Sequence, residues 1–310
     1  MKKYIIIPIL FLLGALSIKG IFFFRETTIE ETITYQKEYE ITLRQDLFSL
    51  MMAYPEYIID IEVEEDHQVY LVLKSGNRIL YDDKKEKTPL EKIANPDLQD
   101  MMEQQYLLGP IDELMPEDYN PGRIRVYPLL KEVYGGNPRE IEGNLIGIQI
   151  HAGYHRFNSN NAAATFLKKA FTELNYQSKN NPEIWSYLHP IGGTYNYRYI
   201  ARTNRLSSHS FGISIDLAIH PADYWQWATK TQAEKRLENY PQIIVDIMES
   251  NYFIWGGKWG QFDIMHYEYR PELIKKAKYF SEKHKDLWYE NLPVEDSFVS
   301  EVVCLIEERL

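Results

Sequence analysis

Cysteine is nearly missing from this sequence. Cys304 is the single one among 310 residues, which excludes a disulfide framework within the chain and any zinc site built on thiolates. Positive charge is also in deficit: 34 Lys and Arg against 45 Asp and Glu leave a formal charge of −11. A protein that grips nucleic acid needs clustered cations to neutralise phosphates, so no nucleic-acid partner is expected. No internal repeat and no low-complexity tract interrupts the chain. No Cys follows the N-terminal apolar run, so lipoprotein processing is not expected. Aromatic residues are plentiful instead, with 24 Tyr, 13 Phe and 6 Trp. That supply suits a packed core and argues against wholesale disorder. The length allows one large domain or two smaller ones.

The N-terminus has the features of an export segment. Lys2 and Lys3 precede an uncharged stretch over residues 4–18, broken only by Pro8, and Ala15, Leu16 and Ser17 form a small-x-small step. A charged start, a short apolar run and such a step read as a secretory signal. The rival reading is a retained membrane anchor over residues 4–24, with Lys19 snorkelling to the interface. Residues 1–24 are therefore expected to be a signal peptide or anchor. The chain is expected to be exported, to the periplasm or the outer face of the cytoplasmic membrane.

Residues 25–140 read as an N-terminal module without any chemical cluster. Residues 57–63 and 68–73 look like strands, and Lys74, Ser75, Gly76 and Asn77 form a turn into residues 78–81. The texture changes at residue 144. Residues 145–150 are an apolar strand candidate. Asn158–Asn161 supplies capping residues for a helix whose Ala163, Leu167, Ala170, Phe171 and Leu174 recur at helical spacing. Residues 213–219 read as a strand, residues 233–250 as a helix turned or kinked near Pro241, and residues 264–269 as a last strand. Residues 141–290 then form a second domain and residues 291–310 a helical tail. Strands and helices do not alternate strictly. The expected class is α+β, a small antiparallel sheet with flanking helices behind a smaller sheet-bearing module.

The chemistry gathers in two stretches. The first is Ser207-Ser208-His209-Ser210-Phe211-Gly212-Ile213-Ser214-Ile215-Asp216; the second runs from Trp255 through Gly256, Gly257, Lys258 and Trp259 to Asp263, His266 and Glu268. Two imidazoles and a carboxylate form a donor set that suits Zn²⁺ with a fourth position for water. A metal in such a set activates water towards a carbonyl. A further carboxylate is then needed to take the proton and pass it to a leaving amine, and Asp263 and Glu268 both stand beside His266. Gly212, lacking a Cβ, lets the chain turn between His209 on a loop and Asp216 on a strand. Ser207 and Ser208 are placed to orient that loop.

The pattern Ser207-x-His209-x-x-Gly212-x-Ser214-x-Asp216 followed by Asp263-x-x-His266-x-Glu268 resembles the zinc peptidase family of D-alanyl-D-alanine carboxypeptidases and L-alanyl-D-glutamate endopeptidases. These act on the stem peptides of bacterial peptidoglycan. The resemblance spans roughly residues 144–271 and includes Tyr197-Arg198, Tyr224-Trp225 and the WGGKW loop. It implies His209, Asp216 and His266 as zinc ligands and Asp263 as the catalytic carboxylate. It also implies Arg198 as the group supporting the scissile carbonyl, with Arg202 and Arg205 as neighbouring alternatives. The family usually carries Ala where this chain has Ser214. An Asp at the catalytic position is typical of the endopeptidase branch, where the carboxypeptidases usually have Glu. The expectation is a zinc peptidase of the endopeptidase type, with a D-alanyl-D-alanine carboxypeptidase or a non-catalytic wall-binding protein as alternatives.

Ser207, Tyr224 and Trp259 are the substrate-binding candidates. For Tyr224, Trp225, Trp227 and Trp259, core packing is the competing reading. Glu268 is better placed to orient a ligand than to act as base. His151 and His155 lack the Glu of an HExxH pattern and read as a hydrogen-bonded pair. His220 is a candidate for the rim, and the acidic run over residues 62–66 reads as solvated surface.

Overall fold

The computed structural model describes residues 29–281 and 287–310. The signal or anchor expected over residues 1–24 lies outside the described residues. Among the described residues, no helix is long and apolar enough to cross a membrane. The chain divides into two compact units, residues 1–39 and residues 40–310. The described part of the first is the opening of helix α1 (Ile29–Ala53).

The remaining elements follow in chain order. They are β1 (Ile58–Val63), β2 (Val69–Leu73), β3 (Arg78–Leu80), α2 (Pro89–Ala94), α3 (Leu98–Glu103), α4 (Tyr127–Tyr134), α5 (Pro138–Gly143), β4 (Leu145–Ile150) and β5 (Gly153–Asn158). Then come α6 (Ala163–Asn180), α7 (Pro182–Leu188), β6 (Ser214–Asp216), α8 (Lys230–Glu238), α9 (Gln242–Ser250), β7 (Phe253–Trp255), β8 (His266–Tyr269), α10 (Pro271–Tyr279) and α11 (Ser297–Arg309). The strands form three small antiparallel sheets, ordered β1-β2-β3, β4-β5 and β6-β8-β7. This is the α+β class that the sequence led us to expect.

Periodicity explains most of these elements. In β2, Val69, Leu71 and Leu73 are buried while Tyr70 and Val72 are half-buried, the period of two that a strand imposes. In α6, Ala163, Ala164, Leu167, Ala170, Phe171 and Leu174 are all buried. Its first residue has no side-chain cap, however, and Asn161 and Ala162 are left-handed, with φ of 49° and 58°. The expected capping by residues 158–161 is not made. Instead Asn158 donates to the carbonyls of Tyr134 and Phe211, Asn160 to Val133 and Asn161 to Ala53. Each buried large apolar side chain stabilises by roughly 1.5–3 kcal/mol, so the packed face of α6 outweighs a missing cap. The helix expected over residues 233–250 is two, α8 and α9. Pro241 lies between them, where it cannot continue a helical ladder. The closing helix α11 buries Val299, Val302, Val303 and Ile306 and is capped by Asp296.

The boundary expected at residue 140 does not divide two bodies. Residues 40–310 are one unit, and buried polar bonds tie the early segment to the late one. Arg125 pairs with Glu268, the Tyr54 hydroxyl donates to Glu272, and Lys276 pairs with Asp46 while donating to the Met102 carbonyl. Tyr106 and Lys258 both donate to Glu249. A buried charge that loses its partner is costly, so these bonds join the early segment to the late one.

Candidate active site

The site is assembled on the β6-β8-β7 sheet. Antiparallel pairing sets Asp216, the last residue of β6, directly opposite His266, the first residue of β8. His209 sits in a single turn of 3₁₀ helix just before β6, whose first backbone groups are organised by the Ser207 hydroxyl accepting from the His209 N–H. Gly212 ends that turn with φ of 68°, and a Cβ there would lie 2.5 Å from Leu145 Cδ2. A left-handed backbone favours glycine here, and a side chain would have to displace Leu145.

The three expected ligands converge. His209 Nε2 is 3.2 Å from Asp216 Oδ1, His266 Nδ1 is 2.8 Å from the same oxygen, and the two ring nitrogens are 3.3 Å apart. Zinc–nitrogen bonds of about 2.0–2.1 Å in a tetrahedron put neighbouring donor atoms about 3.3 Å apart, so this triad fits that ion. The orientation of His209 fits as well. Its Nδ1–H donates to the Thr194 carbonyl at 2.5 Å, which leaves the Nε2 lone pair turned to the site. His266 has its other nitrogen, Nε2, 3.7 Å from Glu268 Oε2. Burial alone would raise the Asp216 carboxyl, but hydrogen bonds from His209 and His266 hold it well below the usual carboxylate range. Burial would lower His266, yet Asp216 and Glu268 hold it up, to about 9.

Asp263 shares the cleft, and its Oδ1 is buried without a hydrogen-bond partner among the described residues. Burial pushes its carboxyl up to about 6, with the negative Asp216 adding to the rise and His266 opposing it. A carboxylate near that value accepts and returns a proton at neutral pH. Glu268 is different in kind. It is fully buried and bidentate to Arg125, at 2.8 and 2.5 Å, and its carboxyl is held well below the usual range by Arg125, then His266 and Arg270, against the opposing effect of burial. Engaged by Arg125, it is not free to act as a base.

The cleft, of about 350 Å³, is lined by the triad and Asp263 together with Ser207, Tyr224, Trp227, Trp259, Arg198 and Arg123. Arg198 is exposed and reaches the cleft; Arg205 donates instead to the Ile93 carbonyl, and Arg202 occupies a left-handed turn with φ of 64°. Trp259 is almost wholly buried, forming wall and core together, whereas Trp227 is more than half exposed at the rim. Tyr224 bridges to the backbone of Asp263. His220 accepts from the Ala222 N–H and is not among the residues lining the cleft, and Ser214 is buried with a hydroxyl that makes no hydrogen bond among the described residues. Arg123, Arg125 and Thr194 went unrecognised in the sequence. Nothing in the local run Asn120-Pro121-Gly122-Arg123 marks it as part of a site 140 residues downstream, and a backbone carbonyl such as that of Thr194 has no sequence signal at all.

A second acidic group, Asp82, Asp83 and Asp97, also has metal-like spacing. The Lys87 ammonium already sits there, 3.1 Å from Asp83 and 2.8 Å from Asp97.

Residues 201–269 match the family model described as D-alanyl-D-alanine carboxypeptidase. The family resemblance, read over residues 144–271, is borne out over residues 201–269. No curated protein and no solved structure matches the chain. The carboxypeptidase-family stretch holds the triad, Asp263, Ser207, Tyr224 and Trp259, and supports a peptidase. Arg123, Arg125, Thr194 and Arg198 fall outside it.

Proposed function

We propose that this chain is an exported zinc peptidase that hydrolyses amide bonds in peptidoglycan stem peptides, of the L-alanyl-D-glutamate endopeptidase type. The observation that carries the reading is the His209–Asp216–His266 triad with the poised carboxyl of Asp263 in the same cleft. Zinc bound by the triad would supply Lewis acidity, polarising a carbonyl and making water nucleophilic near neutral pH. The chain's own residues do the rest. Thr194 and Glu268 fix the two imidazoles, and Asp263 takes a proton from the attacking water and delivers it to the leaving amine. Arg198 is placed to stabilise the developing oxyanion. Trp227, Tyr224 and Trp259 shape the walls around the stem peptide. An extracellular substrate agrees with export or with an N-terminal membrane anchor.

Asp rather than Glu at position 263 favours the endopeptidase, while the matched family's description favours a D-alanyl-D-alanine carboxypeptidase as the second reading. Mass spectrometry of muropeptides treated with the zinc-loaded chain decides between them. A cut between L-Ala and D-Glu supports the endopeptidase; loss of a terminal D-Ala supports the carboxypeptidase. Asp263→Asn should lower the rate by a factor of about 10²–10⁴ while zinc content stays at the wild-type level. Wild-type protein that holds zinc and cuts neither bond would instead be a wall-binding protein.

A further inference from the structure

Asp263 is placed by its backbone. Its Oδ1 has no hydrogen-bond partner among the described residues, so the carboxyl sits where the chain that bears it puts it. That chain closes on itself. The Asp263 N–H donates to the Gly256 carbonyl at 2.8 Å, and the Trp255 indole N–H donates to the Ile264 carbonyl at 2.7 Å. A Cβ on Gly256 would lie 2.5 Å from the Asp263 carbonyl oxygen, so the two ends of the loop are in contact. A shift at Gly256 therefore carries Asp263 with it.

The loop between these ends lies on the early segment. Lys258 is wholly buried, donates to the Leu107 and Gly109 carbonyls at 2.8 and 2.6 Å, and pairs with Glu249 at 2.5 Å. Glu249 also accepts from the Tyr106 hydroxyl, which in turn accepts from the Trp255 N–H. Further along, the Gly260 N–H donates to the Tyr119 carbonyl at 2.7 Å and the Gln261 N–H to Asn120 Oδ1 at 2.9 Å. Asn120 is buried and is itself fixed by donating to the Glu117 carbonyl. A Cβ on Gly260 would fall 1.9 Å from the Pro116 carbonyl oxygen, which shows how closely the loop is seated. A buried polar network whose members are satisfied specifies one geometry, where apolar contacts alone would let the loop slide.

We infer that Lys258 and Asn120 are positioning residues for the Asp263 carboxyl, and that residues 106–123 form the cradle in which the catalytic loop is held. This rests on the peptidase reading of the cleft. It gives the early segment, outside the matched residues 201–269, a part in the chemistry. Neither Lys258 nor Asn120 is among the residues lining the cleft; each acts through the loop. The metal triad does not depend on them, since Asp216 and His266 are held by the pairing of β6 with β8 and His209 by its own turn.

Two variants of the full chain test this. Lys258→Met combined with Glu249→Gln removes both charges of the pair together, so that no lone buried charge remains, and Asn120→Ala removes the second hold. Each is compared with wild type, zinc-loaded, in stem-peptide kinetics, in zinc affinity by chelator competition and by crystal structure. A misplacement of about 1 Å costs on the order of 10²-fold in rate. In both variants kcat should fall about tenfold to a hundredfold, with KM and zinc affinity within about twofold of wild type. The Asp263 carboxyl should move by about 1 Å against an unmoved triad. A purely structural role would lower the thermal midpoint and leave kcat per folded, zinc-loaded chain unchanged; that result overturns the inference, as does an Asp263 that stays in place. Zinc affinity falling in step with kcat also overturns it, because the effect would then lie at the metal. Should the double variant not fold, Asn120→Ala decides by the same readings. If wild type cleaves no stem peptide, the peptidase reading fails, and the displacement of Asp263 alone decides this inference.

Discussion

Glu268 serves three neighbours with two oxygens. Oε1 accepts from Arg125 and Arg270, at 2.8 and 3.4 Å, and Oε2 accepts from Arg125 and lies 3.7 Å from His266 Nε2. Removing its charge strands a buried guanidinium, a loss of about 3–5 kcal/mol, and frees His266 to rotate, which typically weakens metal binding 10–100-fold. Glu268→Gln should therefore lower both the thermal midpoint and zinc affinity, read by calorimetry and by competition with a chelating dye. An unchanged zinc affinity would mean that Glu268 does not orient His266. At this scale the sequence was informative where chemistry and spacing repeat a pattern: His209, Asp216, Asp263 and His266 were all legible. Arg123 and Arg125 were not, because a lone arginine carries no mark of the buried carboxylate or indole that gives it meaning.

Elements make the site precise through very short pieces. β6 has three residues and β8 four, yet their register alone sets Asp216 against His266. The turn before β6 passes through Gly212, whose φ of 68° disfavours a side chain and where a Cβ would have to displace Leu145 Cδ2. Gly212→Ala should cost about 1–3 kcal/mol in backbone strain and displacement, and it should weaken zinc binding because His209 moves with the turn. A variant with wild-type thermal midpoint and zinc affinity would show that the turn tolerates a side chain. The sheet over residues 58–80 and helix α6 were readable from their alternation and their helical spacing. β7 was missed because three residues give too little periodicity to separate strand from loop, and six-residue β5 because GYHRFN shows no apolar alternation and buries only its last two residues. The split at Pro241 was foreseen as a kink and is a full break.

For the whole molecule, the main revision concerns the early segment. Within residues 40–140 only the strands and the turn over 57–81 were legible, without a purpose, and helices α1 to α5 were not. In the folded unit that segment supplies Arg125 to the buried pair and Arg123 to the cleft wall. Such long-range pairing is invisible to local pattern reading, because each partner taken alone reads as ordinary surface charge. A chain beginning at residue 141 would expose the surfaces that Leu129, Leu130, Val133 and Tyr134 cover and strip Glu268 of its bidentate partner Arg125, leaving it only the longer contact to Arg270. It should fail to give a cooperative thermal transition, whereas the full chain should unfold cooperatively. A cooperative transition from the shortened chain would restore the boundary at residue 140.

The central claim is that amide hydrolysis depends on one zinc held by His209, Asp216 and His266. Titrating zinc into the metal-stripped chain while following stem-peptide cleavage tests it most directly. The rate should rise from near zero and level off at one zinc per chain, and His266→Ala should remain inactive at that stoichiometry. Cleavage that persists at the full rate in the metal-stripped chain, or that returns in His266→Ala with one equivalent of zinc, would contradict it.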